Sequence, residues 1–326
     1  MTTLTLSELA RDVQKFLKFK RAMGYSYVRG ELMLASLQRF ARNPLPRGSA
    51  RPAKISLQDT ARAWLSRTEN RKGNTVAQEF AVVRQLCLHR RRRDPHGFVP
   101  ERSWAPKTEL PFLPHIFSRQ EVHRLLRAAD HYRHRNVDPG LMRTLLLILY
   151  CTGLRFGEAV RLRLSDVDLE HRVFFIRESK GRSRWVAFGD DLARQIKRWL
   201  AERDLSVSVR GTKAQEALFL RRNGQALSIK CAGDAVTKLV RQEGMKPAHG
   251  RVGPRPYDWR HAFAVHRLTD WYRKKVDVHA RLPWLSAYMG HVNVLGTEVY
   301  LHATPELLRL ASLRFAGRLR SARTTP

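Results

Sequence analysis

The sequence predicts a mainly α-helical protein with a small antiparallel β element, divided into an N-terminal helical bundle and a larger mixed α/β domain. Apolar residues recur with helical spacing along most of the 326-residue chain. A proline-rich stretch between residues 90 and 114 interrupts this pattern, and two short β-branched and aromatic runs follow it. At about 150 residues per domain, the length also fits two domains.

The composition is strongly basic. Lys and Arg number 61 against 29 Asp and Glu, which gives a formal net charge of +32. This charge argues against a neutral metabolic enzyme. The hydrophobic content of 43% suffices for packed cores, which argues against a disordered basic tail. Phosphates would neutralise the excess charge, so we expect nucleic acid as the partner, with an anionic membrane surface as the second choice.

The cysteines fit a reducing compartment, and the apolar runs are too short to span a membrane. Cys87, Cys151 and Cys231 are too few and too widely spaced for a disulfide framework or a paired-cysteine zinc site. The first residues lack a secretory signal pattern, and the longest apolar run, at 145–151, is far shorter than the ~20 residues of a spanning helix. We therefore expect a cytoplasmic, DNA-associated protein without a membrane partner.

The N-terminal segment, residues 1–100, is predicted to be a helical DNA-binding domain. Its first helical pattern runs from Leu9 to Leu17, with Ser7 as the expected N-cap and Gly24 as the stop. The segment carries 20 Lys and Arg against 7 Asp and Glu, so its outer faces should be basic. Further helical patterns cover about residues 26–42, 58–67 and 74–89.

Residues 101–111 are predicted to be an interdomain linker, because the prolines around them exclude a regular helix. The second domain is predicted over 112–326, and Ser118 with Glu121 forms a capping-box pattern near its start. Two strand-like runs, at about 172–177 and 184–188, should form a hairpin. A last helical pattern covers 304–318.

Four separated motifs hold residue types that suit phosphoryl transfer. TGLRFGE puts Arg155 at the start of a helical turn, where its guanidinium fork can bind a phosphate. Lys180 lies in the predicted hairpin turn, from which an ammonium can reach a phosphodiester. Taken alone, the first motif fits a surface arginine equally well, and a lysine in a basic turn is usually solvated.

The other two motifs lie nearer the C-terminus. YDWRHAFAVH opens a helix whose spacing places Tyr257, Arg260 and His261 on one face. MGH ends at His291 and is followed nine residues later by Tyr300, in a second short helical segment. Singly, these also fit an amphipathic helix, a helix C-cap and a half-buried aromatic residue.

Together, the four motifs resemble the tyrosine recombinase (phage integrase) family. TGLRFGE looks like the family's first-arginine box, SKGRSRWVAF like its lysine hairpin, YDWRHAFAVH like its HxLRHxFAxH box, and MGH with the later tyrosine like its LGH and nucleophile box. The resemblance spans about residues 112–310, and several motifs in order are more specific than one alone. It implies a helical core-binding bundle followed by a mixed α/β tyrosine-recombinase catalytic domain. Residues 1–100 resemble the family's core-binding bundle only in size, helicity and charge.

The resemblance also implies catalytic roles. Tyr300 would attack the scissile phosphorus and form a 3′-phosphotyrosyl bond. Arg155 and Arg260 would neutralise charge on the non-bridging oxygens, and His291 would add a hydrogen bond there. Lys180 would protonate the departing 5′ oxygen. The C-terminal helix would pack on a neighbouring protomer by resemblance, although packing on its own domain is nearly as plausible from the residues.

The chain departs from the family at one catalytic position. The family box begins with a histidine that helps to take the nucleophile's proton, but this chain has Tyr257 there. A phenol is a poor base at neutral pH because its ordinary pKa is about 10, so the general base stays open. His261 matches a family histidine that is usually structural, and Glu158 would orient Arg155.

The leading prediction is a site-specific DNA recombinase acting on double-stranded DNA. By resemblance it would act as a homo-multimer, a tetramer at the exchange step, alone or with other recombinases. No cofactor, metal or ATP is expected, because guanidiniums replace a cation and phosphotyrosine stores each broken bond. The alternative, favoured by Tyr257, is an accessory or regulatory DNA-binding paralogue. A two-metal nuclease is disfavoured because the sequence has no acidic cluster suited to binding two metal ions. An RNA-binding module is disfavoured because the sequence has no aromatic-rich recognition motif.

Overall fold

The protein is described by a computed structural model over residues 3–43, 54–67, 71–106, 114–179, 182–210, 216–250, 252–302 and 304–323. The chain divides into two compact units, Met1–Phe112 and Leu113–Pro326. Both are mainly helical, and each contains a small antiparallel sheet. The predicted fold class is therefore confirmed.

In its described residues, the N-terminal unit is a bundle of four α-helices closed by a short strand pair. The strands β1 and β2 are antiparallel, with Leu4 opposite Ile55. The elements are β1 (Thr3–Leu4), α1 (Leu6–Ala22), α2 (Val28–Arg42), β2 (Ile55–Ser56), α3 (Leu57–Leu65) and α4 (Gly73–Arg91).

The N-cap of helix α1 is Thr5, two residues before the expected cap. The Thr5 hydroxyl accepts a hydrogen bond from the Glu8 backbone nitrogen at 3.2 Å, and the Glu8 carboxylate accepts one from the Thr5 backbone nitrogen at 2.6 Å. The Ser7 prediction is thus wrong, because Thr5 and Glu8 have the three-residue spacing that satisfies two helix-end N–H groups reciprocally. Gly24, at φ +83°, follows the last turn as expected.

Part of the predicted linker packs against the N-terminal bundle. Residues Arg102–Trp104 form a short 3-10 turn, and Trp104 contacts the bundle core together with Phe98 and Val99. The prolines exclude a regular α-helix here, but they do not prevent neighbouring aromatic side chains from being partly buried. The rest of the predicted linker, residues 107–111, lies outside the described ranges.

The C-terminal unit is a helical domain with one three-stranded antiparallel sheet. The strand order is β3-β4-β5, and β4 and β5 form the predicted hairpin, with Phe174 opposite Val186. The elements are α5 (Arg119–Asp130), α6 (Pro139–Thr152), α7 (Phe156–Val160), β3 (Val167–Asp168), β4 (Val173–Ser179), β5 (Arg182–Ala187), α8 (Asp190–Arg210), α9 (Ile229–Gln242), α10 (Asp258–Arg273), α11 (Val278–Met289), α12 (Leu295–Glu298) and α13 (Pro305–Arg323).

Two glycine turns at helix ends shape the middle of this domain. Helix α6 ends at Gly153 (φ +61°), and α11 ends at Gly290 (φ +71°), both in the left-handed region that favours glycine. Space is also restricted, because a Cβ on Gly153 would overlap the Phe263 ring and one on Gly290 would lie 2.7 Å from Arg184 Nη1. Across the part of the chain with described structure, no helix combines the length and apolar character that a bilayer crossing requires.

Candidate active site

The two predicted arginines are held by the glycine turns at the ends of α6 and α11. Arg260 donates from Nη1 to the Gly153 carbonyl at 2.6 Å and from Nη2 to the Met289 carbonyl at 2.7 Å. Arg155 donates from Nη2 to the Gly290 carbonyl at 2.6 Å. The bonds to the two glycine carbonyls each join residues more than 100 positions apart. Together, the three carbonyls hold both guanidiniums in fixed orientations.

Arg260 lies at the base of the site. Arg260 is only 1% exposed. Burial lowers the pKa of its guanidinium, although the neighbouring phenols of Tyr257 and Tyr300 oppose this change. A guanidinium stays protonated at neutral pH even so. The site therefore contains a permanent positive charge in surroundings of low dielectric, where its interaction with a phosphate is strong.

Glu158 holds Arg155 at the start of α7. The Arg155 backbone nitrogen donates to Glu158 Oε2 at 2.9 Å, and Nη1 lies 2.7 Å from Oε1. The Glu158 side chain is only 3% exposed, and a third residue, Arg184 of β5, also binds it, with Nη2 2.8 Å from Oε2. One buried carboxylate is therefore shared by two guanidiniums.

His291 is fixed by a hydroxyl from the following short helix. Its Nδ1 lies 2.6 Å from the Oγ1 of Thr297, which is fully buried. If the Thr297 hydroxyl donates to Nδ1, then the proton is on Nε2, which is the tautomer suited to donating to a phosphate oxygen. The His291 ring also stacks near Tyr300, with centroids 6.3 Å apart.

Tyr300 lies in the 3-10 helix Val299–His302 and is 4% exposed. Its ring contacts His261, with centroids 5.4 Å apart. Burial raises the pKa of the Tyr300 phenol, and the positive charges of Arg260 and Arg155 oppose that rise. The phenol is therefore protonated at neutral pH, and a nucleophilic attack by its oxygen requires the proton to leave.

Tyr257 and His261 lie beside Tyr300 but face differently from Arg260. Tyr257 occupies the N-cap of α10 and is 41% exposed, whereas Arg260 points into the interior, so the prediction of one shared face is only partly correct. The Tyr257 ring meets His261 edge-on at 5.3 Å. Burial lowers the pKa of His261, and its Nδ1 is buried without a hydrogen-bond partner among the described residues.

Lys180 lies outside the described residues, so its position relative to the arginines stays a prediction. The strands on either side of it pair at Ser179 and Arg182. Two residues at the site were missed by the sequence reasoning, Arg184 and Thr297. The sequence does contain a signal for Arg184. It is two residues from the buried Val186 on β5, so both side chains lie on the inward face of the strand, where a charged residue is unusual.

A basic cleft begins at Arg155. Its volume is about 510 Å³, and its lining includes Arg161, Arg163 and Arg177. Such a cleft suits the backbone of a polyanion, since guanidinium forks match phosphate oxygens. Among the residues with described structure, no group of three or more His, Cys, Asp or Glu is arranged to hold a metal ion.

The site thus brings a buried phenol, two fixed guanidiniums and an oriented imidazole close together in the C-terminal domain. Residues 116–306 match the profile of the Phage integrase family. The chain belongs to the phage integrase family. This confirms the resemblance drawn from the four motifs, and the family's tyrosine recombinases are enzymes that cleave and rejoin DNA.

Relatives agree with the phage integrase assignment, and a solved integrase structure shares the fold. The chain is 30% identical over 318 residues to y4rB of Sinorhizobium fredii, described as an integrase/recombinase, covering 96% of this chain and 98% of that one. It is 25% identical to the tyrosine recombinase XerC of Staphylococcus saprophyticus, over 76% and 78% of the two chains. The Tn1549 transposon integrase in complex with transposon right end DNA shares the fold, with a TM-score of 0.67, 18% identity and coverage of 96% and 100%.

Proposed function

We propose that this chain is a site-specific DNA recombinase that cuts and rejoins DNA through a 3′-phosphotyrosyl intermediate. The observation that carries the proposal is the meeting of Arg155, Arg260, His291 and Tyr300 around two glycine turns. These residues come from separate segments, so their convergence needs the whole domain. Family membership and the XerC relatives favour this function over the accessory DNA-binding alternative.

In the proposed cleavage step, Tyr300 Oη bonds to the scissile phosphorus while the bond from phosphorus to the 5′ oxygen breaks. Arg155 and Arg260 stabilise the negative charge that accumulates on the non-bridging oxygens, and His291 donates a hydrogen bond to one of them. Lys180 gives a proton to the 5′ oxygen, which leaves as a hydroxyl. Rejoining reverses these steps, so the reaction consumes no ATP.

The proton of Tyr300 has to leave during the attack. Tyr257 takes the family's histidine position, and a phenol is able to accept or donate a hydrogen bond. Water reaching the exposed side of Tyr257 is the alternative acceptor. We propose that Tyr257 orients the reacting groups and that the proton passes to solvent.

The proposed substrate is double-stranded DNA, bound by several copies of the chain. This proposal is supported by solved structures of similar fold, among them XerH bound to difH substrate and a lambda integrase dimer bound to a COC′ core site. A tetramer at strand exchange, with or without other recombinases, follows from the family resemblance. DNA-binding by residues 1–100, catalysis by residues 112–326, independence of metal ions and a cytoplasmic location remain predictions.

The test is trapping of the covalent intermediate. DNA fragments from beside the gene, each nicked so that the cleaved strand loses a short piece, are incubated with the protein and analysed on a denaturing gel. A protein–DNA adduct that forms equally in EDTA supports the proposal. Tight binding without an adduct on any fragment would favour the accessory paralogue, and cleavage that requires a divalent ion would indicate a nuclease.

A further inference from the structure

Arg184, on the inward face of β5, is surrounded by groups of the active site. Its Nη2 and Nη1 atoms lie 2.8 Å and 3.2 Å from the two carboxylate oxygens of Glu158, and its Nε donates to the Tyr288 carbonyl at 2.9 Å. The side chain is only 12% exposed. A guanidinium removed from water to this extent requires such acceptors, so Glu158 is its main source of charge compensation.

Glu158 therefore divides its charge between two arginines. Arg184 approaches both of its oxygens in a fork arrangement, which is the stronger geometry for this kind of pair. Arg155 Nη1 shares Oε1 with Arg184. Among these three side chains, two positive charges face one negative charge, so the carboxylate does not neutralise Arg155 fully.

Arg184 also contacts the turn that leads to His291. Its Nη1 is so close to Gly290 that a Cβ on any other residue at this position would lie only 2.7 Å from it. Its Nε bond to Tyr288 fixes the last turn of α11, and the Gly290 carbonyl in turn accepts the bond from Arg155 Nη2. One side chain of the hairpin thus supports both Arg155 and the segment that carries His291.

We propose that Arg184 is a positioning residue for strand cleavage. By compensating Glu158, it keeps the positive charge of Arg155 directed at the scissile phosphate instead of at the carboxylate, and it holds the Gly290 turn in place. This inference rests on the proposed recombinase function, and it concerns a residue that does not itself contact the reacting atoms.

The first test removes the charge of Arg184 with and without that of Glu158. Arg184→Gln should slow single-turnover cleavage about 10- to 100-fold, the range expected when a hydrogen-bonded charged partner is lost. In the double variant Glu158→Gln/Arg184→Gln no carboxylate remains to neutralise Arg155, so cleavage should be several-fold faster than in Arg184→Gln alone. A merely structural role would make the double variant equally slow or slower.

The second test changes the charge of the substrate. An oligonucleotide with one methylphosphonate at the scissile position carries no negative non-bridging oxygen for Arg155 to neutralise. The ratio of wild-type to Arg184→Gln cleavage rates should therefore fall on this substrate, as it should for Arg155→Gln. Simple misfolding predicts an unchanged ratio, since the loss of active protein affects both substrates equally.

A matched control is available on α6. Arg143 Nη1 binds the Asp130 carboxylate at 2.7 Å and the Leu126 carbonyl at 3.0 Å, so it also joins an acid and a backbone oxygen. Arg143→Gln should leave the cleavage rate unchanged. If the wild-type protein forms no adduct, the proposed function fails. If the wild-type protein does form an adduct, two results overturn the role of Arg184 alone: cleavage by Arg184→Gln at the wild-type rate, or no recovery of the rate in the double variant.

Discussion

Arg260 and Gly153, which are 107 positions apart in the chain, are joined by a 2.6 Å hydrogen bond from Nη1 to the glycine carbonyl. The bond depends on the left-handed turn at Gly153, which directs this carbonyl away from α6 and toward α10. The orientation of a central cation in the site is therefore set by the backbone of a residue without a side chain.

Gly153→Ala should damage both stability and cleavage. An alanine at φ +61° is strained, and its Cβ would overlap the Phe263 ring, so we expect a loss of about 1–3 kcal/mol in the free energy of unfolding. Urea unfolding measures this loss, and single-turnover cleavage should fall because the carbonyl that holds Arg260 moves. Gly189→Ala is the control, since a Cβ there meets nothing within 4 Å. Wild-type cleavage by Gly153→Ala would contradict the role given to this turn.

Tyr300→Phe should abolish the covalent adduct and leave DNA affinity nearly unchanged. Only the attacking oxygen is removed, while the buried ring keeps its contacts with His261 and His291. Adduct formation on a denaturing gel and DNA binding in a gel-shift assay check the two parts. An adduct that persists in this variant would require another nucleophile.

Thr297→Val should slow cleavage about fivefold, the effect of losing one hydrogen bond worth ~1 kcal/mol. Valine has nearly the same shape but cannot hold His291 Nδ1, which lies 2.6 Å from the threonine hydroxyl. Thr297→Ser retains the hydroxyl and should react close to the wild-type rate. Single-turnover rates for both variants decide the matter, and equal rates would show that His291 is oriented by other contacts.

Tyr257→Phe should slow cleavage only modestly, by about the fivefold that one hydrogen bond of ~1 kcal/mol represents. Tyr257→His should be tolerated and should speed cleavage near neutral pH, because an imidazole accepts a proton far more readily than a phenol. Single-turnover rates from pH 6 to 9 test both variants. A histidine variant slower than the wild type at every pH would mean that the pocket is shaped for the larger ring.

Stability should fall as the pH drops below about 6.5, in part because of His266. Burial, followed by the positive charge of Arg119, lowers the pKa of His266, whose Nδ1 lies 2.9 Å from the Tyr150 hydroxyl. The unfolded chain then binds the proton first, so stability is lost as the pH falls from the ordinary value toward the lowered one. In urea unfolding between pH 7 and 5, His266→Gln should lose less stability than the wild type, whereas the exposed His123→Gln should behave like the wild type.

The sequence by itself determined the helical fold class, the hairpin and the separated motifs that resemble the phage integrase family. Local rules suffice for these features: Ser118 and Glu121 cap α5 as their spacing predicts, and Gly290 ends α11 in the left-handed conformation. The family resemblance could be read in the same way, since motif order and spacing are properties of the chain. Local reasoning failed at the start of α1, where Thr5 rather than Ser7 is the cap.

Only the tertiary structure decided which groups hold the candidate catalytic residues. The bonds from Arg260 to the Gly153 and Met289 carbonyls, and the sharing of Glu158 with Arg184, join residues far apart in the chain. No periodicity predicts such contacts, because they arise when helix ends and a strand are packed around the same buried space. Tertiary packing also decided that Tyr257 faces outward and Arg260 inward. The buried Trp259 packs against the Phe117 ring, and this contact fixes the rotation of α10 about its axis.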